Sequence, residues 1–101
     1  CHNVPEQELK DRAHDIQNRF TSVKNTAMDA LMDLIDRLEK AKNSKISSAK
    51  LIKAQDYQRS AQFYIDFVEA ENSTGFHALG ESLRILAEAI NYIRLAEKEL
   101  K

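Results

Sequence analysis

Between Leu9 and Ala41 the apolar residues return at steps of three and four: Leu9, Ala13, Ile16, Phe20, Val23, Ala27, Ala30, Leu34, Leu38 and Ala41. On a helix this spacing draws one nearly straight line of side chains with a near-heptad period. The stripe therefore demands a single long helix, and no breaker interrupts it before Asn43-Ser44. The rest of the chain agrees. With 2 Gly and 1 Pro in 101 residues, there is no supply for Gly-rich phosphate loops, hairpin-rich sandwiches or Pro/Gly linkers.

The stripe opens at Asn3-Val4-Pro5-Glu6, where Asn3 is a capping residue, Pro5 suits a first turn, and Glu6, Glu8 and Asp11 complement the positive helix end. From Met28 it widens to take in Leu31, Met32 and Ile35, which predicts that the distal half meets two neighbours. A second periodic segment runs from about Ser47 to Asn72, with Ala54, Tyr57, Ala61, Tyr64 and Val68 on one line and Ser47 and Ser48 as capping choices. Asn72-Ser73-Thr74-Gly75 punctuates it. A third segment starts near His77 and continues through Leu79, Leu83, Leu86, Ile90 and Ile93. The predicted fold class is all-α: one domain over residues 1–101, built as a long antiparallel helical hairpin plus a third helix.

At ~1.5 Å per residue the first helix reaches ~55 Å and the second ~38 Å, so the chain makes a rod and not a ball. A rod of this length leaves apolar stripe uncovered unless something packs on it. The heptad-like seam, Leu34 and Leu38 included, is expected to pair two copies into a homodimer. Arg37, Lys40, Lys42, Lys45, Lys50 and Lys53 cluster where the first two helices meet, and they read as a solvated cap beside a helix C-terminus.

Composition excludes several functions. Fifteen Lys+Arg against sixteen Asp+Glu leave a net charge of -1, without the cationic face that nucleic acid requires. No apolar run approaches the ~18 residues that cross a bilayer. The single cysteine builds neither an internal disulfide nor a Cys-rich metal site. There is no Ser-His-Asp or Cys-His-Asn set to flag, and no Glu-x-x-His pair of the di-iron type. His14 falls off the apolar stripe and reads as an exposed residue, while Met28, Met32, Phe63, Tyr64 and Phe67 read as core. Tyr57 and Tyr92 have hydroxyls to offer to polar partners.

The opening dipeptide carries more chemistry. Cys1-His2 matches the last two letters of Cys-x-x-Cys-His, in which two thioethers hold a haem and the adjacent imidazole reaches its iron. A chain starting this way, without an initiator Met, is read as beginning inside a longer protein. The alternative is an acylated Cys1, since lipidated cysteines serve as anchors, on a non-enzymatic helical hairpin that docks on a partner.

The stretch from Tyr57 to His77, above all Ala70-Glu71-Asn72-Ser73-Thr74-Gly75-Phe76-His77, closely resembles the C-terminal part of the pentahaem, ammonia-forming cytochrome c nitrite reductases, and Asn91-Tyr92-Ile93-Arg94 fits as well. The resemblance covers essentially the whole chain. Thr74 stands where that family is expected to carry Met, and Leu79-Gly80 replaces a Pro-containing helix start. The resemblance implies that Cys1 carries one thioether to the last haem, that His2 is the proximal iron ligand of that haem, and that His77 is the distal ligand of the preceding one. It also implies haem c as cofactor, a periplasmic enzyme reducing nitrite to ammonium, a homodimer through the long helices, an upstream haem domain in the same chain, and a membrane-associated cytochrome as electron donor. Calcium, the lysine-ligated catalytic haem and the substrate-facing residues belong, by the same resemblance, outside this segment.

Helix lengths bear on the ligands independently. With ~55 Å up and ~38 Å down, His77 stays ~15 Å short of His2 along the rod, whereas two axial imidazoles on one iron stand about 4 Å apart. The two histidines are therefore expected to serve different irons.

Overall fold

The computed structural model describes residues 6–73 and 79–101. Three helices follow one another: α1, Glu6–Lys42; α2, Ser48–Ser73; and α3, Leu79–Glu99. No strand occurs among the described residues. The molecule is a rod of 67 × 18 × 17 Å, as the helix lengths require.

Local signals account for the helix ends. Glu6 and Glu8 lie in the first turn of α1 and Lys40 and Lys42 in its last, each sign matched to the helix dipole. Past Lys42 the chain turns over residues 43–45, with the Asn43 side-chain amide donating to the Glu39 carbonyl at 3.4 Å and the Ser44 hydroxyl to the Ala41 carbonyl at 2.8 Å. Ser47 then caps α2, its Oγ accepting from the Lys50 amide at 3.2 Å. Cap candidate Asn3 and the Gly75 terminator lie outside the described residues.

Core packing runs along all three helices. Phe20, Ala27, Leu31, Leu34 and Leu38 of α1 meet Ala54, Ala61, Ile65 and Val68 of α2 and Ile85, Leu86, Ala89, Ile93 and Ala96 of α3. Small residues at Ala54, Ala61, Ala89 and Ala96 let the helices approach, while Leu34, Leu86, Ile93 and Val68 fill the space as the largest fully buried side chains. Each of these four contributes on the order of 1.5–3 kcal/mol by leaving water. The most extensive packing is between α2 and α3.

Inter-helix ion pairs among the described residues report the register. Lys24 of α1 meets Glu69 of α2 at 3.2 Å, Arg37 of α1 reaches Glu97 of α3 at 4.0 Å, and Lys53 of α2 meets Glu99 of α3 at 3.5 Å. α1 and α3 thus run in the same direction with α2 antiparallel between them in sequence. At the hairpin tip Arg37, Lys42 and Lys53 each have acidic partners, Asp33 and Glu97, Glu39, and Glu99 respectively, in keeping with a solvated cap.

Two expectations fail here. Leu34 and Leu38 are buried within one chain, at 0% and 5% exposure, so that part of the seam is filled by α2 and α3 and is not free for a second copy. The widened stripe is also narrower than its spacing predicts. Leu31 is buried and Ile35 half-buried, but Met28 and Met32 are 40% and 60% exposed. α1 does meet two neighbours, α2 and α3, as the widening predicts, but Met28 and Met32 stand about a quarter-turn and more than a third of a turn from the centre of the covered face on the helical wheel.

Candidate functional site

Cys1 and His2 precede α1, and His77 belongs to the connection between α2 and α3; all three lie outside the described residues. What the structure describes is the frame around them. The connection carrying His77 follows the helix end that holds Glu69, and Glu69 is tied to Lys24. Phe20, one turn further toward the start of α1, is the first buried residue among the described ones. Ahead of it, residues 6–19 are exposed throughout and extend ~21 Å at ~1.5 Å per residue.

This extension is not polar all round. Leu9 and Ile16, 51% and 49% exposed, continue the stripe that is buried from Phe20 onward, and Ala13 lies between them. The face has the pattern of a core helix without a covering partner. Its polar side is held by local pairs, Lys10 with Glu6 at 3.5 Å and Arg12 with Glu8 at 3.0 Å, which are of the modest i,i+4 kind.

A second uncovered apolar surface is on α2. Phe63 and Phe67 are 66% and 44% exposed, contrary to their reading as core. They follow Ala61 and Ile65 by two residues, which on a helix is more than half a turn, so they face away from the bundle. Period-matching on α2 is ambiguous because the helix is apolar on opposite faces; the neighbours decide which face is covered. Tyr64 is half-buried, as its place on the inward line predicts.

The tyrosines gather between α2 and α3. The Tyr92 ring stands with its centroid 5.7 Å from Tyr64, nearly parallel at 19°, and 6.1 Å from Tyr57, tilted by 34°. Tyr57 and Tyr64 are seven residues apart on α2, so the α3 ring bridges two turns. The facing Tyr64 phenol, by its charge and then by hydrogen bonding, raises the Tyr92 phenol above its ordinary range, with smaller contributions from burial, Glu88 and Tyr57. Sequence spacing marked Tyr57 and Tyr64 as one line but did not bring Tyr92 to them; the relative register of two helices does not follow from either one alone. On the outer face of α3, the Arg84 guanidinium donates to the Glu81 carboxylate and holds it below its usual range.

Among the described residues no group of three His, Cys, Asp or Glu is placed to hold a metal ion. His14 is exposed, as its position off the stripe predicts. No described helix is long and apolar enough to cross a membrane.

Residues 1–101 match the cytochrome c552 family over their whole length. The chain belongs to that family. It is also 32% identical to the cytochrome c-552 of Maridesulfovibrio salexigens, over 100% of this chain and 20% of that protein. The chain thus spans about a fifth of the length of the curated relative it matches. No solved structure matches it. Membership of a c-type cytochrome family implies haem c, and the chain's own residues fit that group. Adjacent Cys1 and His2 are the donor types that haem c attachment needs. The described residues nearest to them in sequence present an uncovered apolar face at Leu9, Ala13 and Ile16.

Proposed function

We propose that this chain is the C-terminal helical segment of a periplasmic multihaem nitrite reductase that converts nitrite to ammonium by a six-electron reduction. The observation that carries the reading is the match of the whole segment to the cytochrome c552 family, joined to the Ala70-to-His77 motif and the Cys1-His2 dipeptide. In this reading Cys1 holds the last haem through a thioether, His2 is the proximal ligand of that haem, and His77 is the distal ligand of the preceding one. The bound haems supply one-electron carriers at close range. The ~21 Å of α1 ahead of Phe20 supports separate irons for His2 and His77, because His2 precedes that extension and His77 follows the helix that stops at its far end.

The segment's own work is positional. α1 carries the proximal side away from the bundle, the Lys24–Glu69 pair holds the end of α2 against α1, and the uncovered apolar faces receive neighbours. Leu9, Ala13 and Ile16 are assigned to the upstream haem domain of the same chain, and Phe63 and Phe67 to a homodimer contact. Reduction of nitrite takes place on a haem outside this segment. Calcium, if the whole protein holds it, and a membrane-associated cytochrome that donates electrons also engage parts outside it.

The test is the full-length protein, purified from the periplasmic fraction and supplied with nitrite and a low-potential electron donor. Stoichiometric ammonium is expected. A haem protein that oxidises the donor with another acceptor but leaves nitrite untouched would retain the family and overturn the reaction.

A further inference from the structure

All 3 tyrosines of the chain lie in one cluster, and the chain has no tryptophan. Tyrosine is therefore the aromatic side chain here that is easiest to oxidise by one electron. Tyr64 and Tyr92 come from different helices, are each half-buried and thus reachable, and stack nearly parallel at 5.7 Å. The two rings face each other across the α2–α3 seam, and phenoxyl radicals couple at the carbons ortho to their hydroxyls. Tyr57 is further from Tyr92 and more tilted, at 6.1 Å and 34°.

We propose that Tyr64 and Tyr92 form an oxidation site, at which peroxide-derived radicals convert the pair into a covalent dityrosine bridge between α2 and α3. Each phenol gives up one electron and one proton, and each of two hydroxyl-type radicals takes one of each to become water. The two phenoxyl radicals join through a new ortho carbon–carbon bond. The hydrogen on each coupling carbon then moves to its oxygen, restoring two phenols. The pair loses two hydrogen atoms in all. The bridge fixes the register of the most extensively packed helix pair of the bundle. The inference rests on the ring geometry alone and holds whichever reaction the whole protein catalyses.

The test uses the full-length holoprotein, treated with limiting hydrogen peroxide or with photo-oxidised ruthenium(III) tris-bipyridine, a one-electron oxidant that needs no haem. The sequence makes the products readable. Tryptic cleavage after Lys53, Arg59, Arg84 and Arg94 puts Tyr57, Tyr64 and Tyr92 into three separate peptides. Expected is a linked species of the peptides 60–84 and 85–94, two hydrogen atoms lighter than their sum, within single chains. It should vanish in both Tyr64→Phe and Tyr92→Phe, which keep the rings, and persist in Tyr57→Phe. Sulfoxide at the exposed Met28 and Met32 reports that the oxidant reached the bundle. Methionine oxidation without the linked peptides would overturn the proposal, as would a link through Tyr57 instead, or a link found only between two chains.

Discussion

Leu86 is fully buried where α3 meets the other two helices. Replacing it with Ala removes apolar contact and leaves a void in a thin core with little capacity to collapse, so Leu86→Ala is expected to cost about 2–5 kcal/mol, read as a lowered thermal midpoint. Ile52, 57% exposed on α2, provides the contrast, and Ile52→Ala should leave the midpoint within the range of ordinary surface substitutions, about 0.5 kcal/mol. Tyr92 has a different signature. Its phenol is raised above the ordinary phenol range in the folded state, chiefly by Tyr64. The fold therefore favours the neutral form: the stabilisation is complete below the ordinary phenol value and is lost as pH rises through the higher folded value. The midpoint of the native protein should fall faster than that of Tyr92→Phe as pH climbs beyond about 10. Parallel curves would mean that the ring contact carries no proton-linked stability.

At the scale of elements, α1 is two different helices in one. From Phe20 to Leu38 its stripe is packed, and from Glu6 to Arg19 the same stripe is bare. In the 101-residue chain the backbone amides of residues 6–19 should exchange with solvent much faster than those of residues 27–38, and on the proposed docking of an upstream haem domain over Leu9, Ala13 and Ile16 the difference should shrink in the full-length protein. Equal protection in the isolated chain would contradict an uncovered extension. α2 sets the other test. If Phe63 and Phe67 make the proposed homodimer contact, Phe63→Glu with Phe67→Glu should lower the sedimenting mass of the full-length protein to that of a monomer while helix content is retained, because both rings already face outward. Leu34→Glu should instead unfold the bundle, since Leu34 has no exposure at all. An unchanged mass in the double variant would remove α2 from the interface.

For the whole molecule, the rod and its three helices were legible in the sequence because their causes are local. The alternating stripe, the scarcity of Gly and Pro and the Ser47 cap each act within a few residues. What the sequence did not disclose is which apolar residues are covered. Phe63, Phe67, Met28 and Met32 fit a core by composition, yet coverage depends on how many neighbours each helix has, and with three helices among the described residues the outer faces of α1 and α2 go without. The candidate site divides in the same way. Cys1, His2 and His77 are proposed from residue type and motif and lie outside the described residues, whereas the tyrosine cluster depends on the register between α2 and α3 and emerged only from the structure. The account as a whole depends on Cys1-His2 closing a haem attachment sequence. Its most direct test is mass spectrometry of the tryptic peptide that contains Cys1 and ends at Lys10, isolated from the full-length protein after acid-acetone extraction. The account predicts that this peptide extends upstream to a second cysteine and carries a haem through two thioethers. A peptide bearing a free Cys1 thiol, or a fatty acyl group on it, would contradict the account.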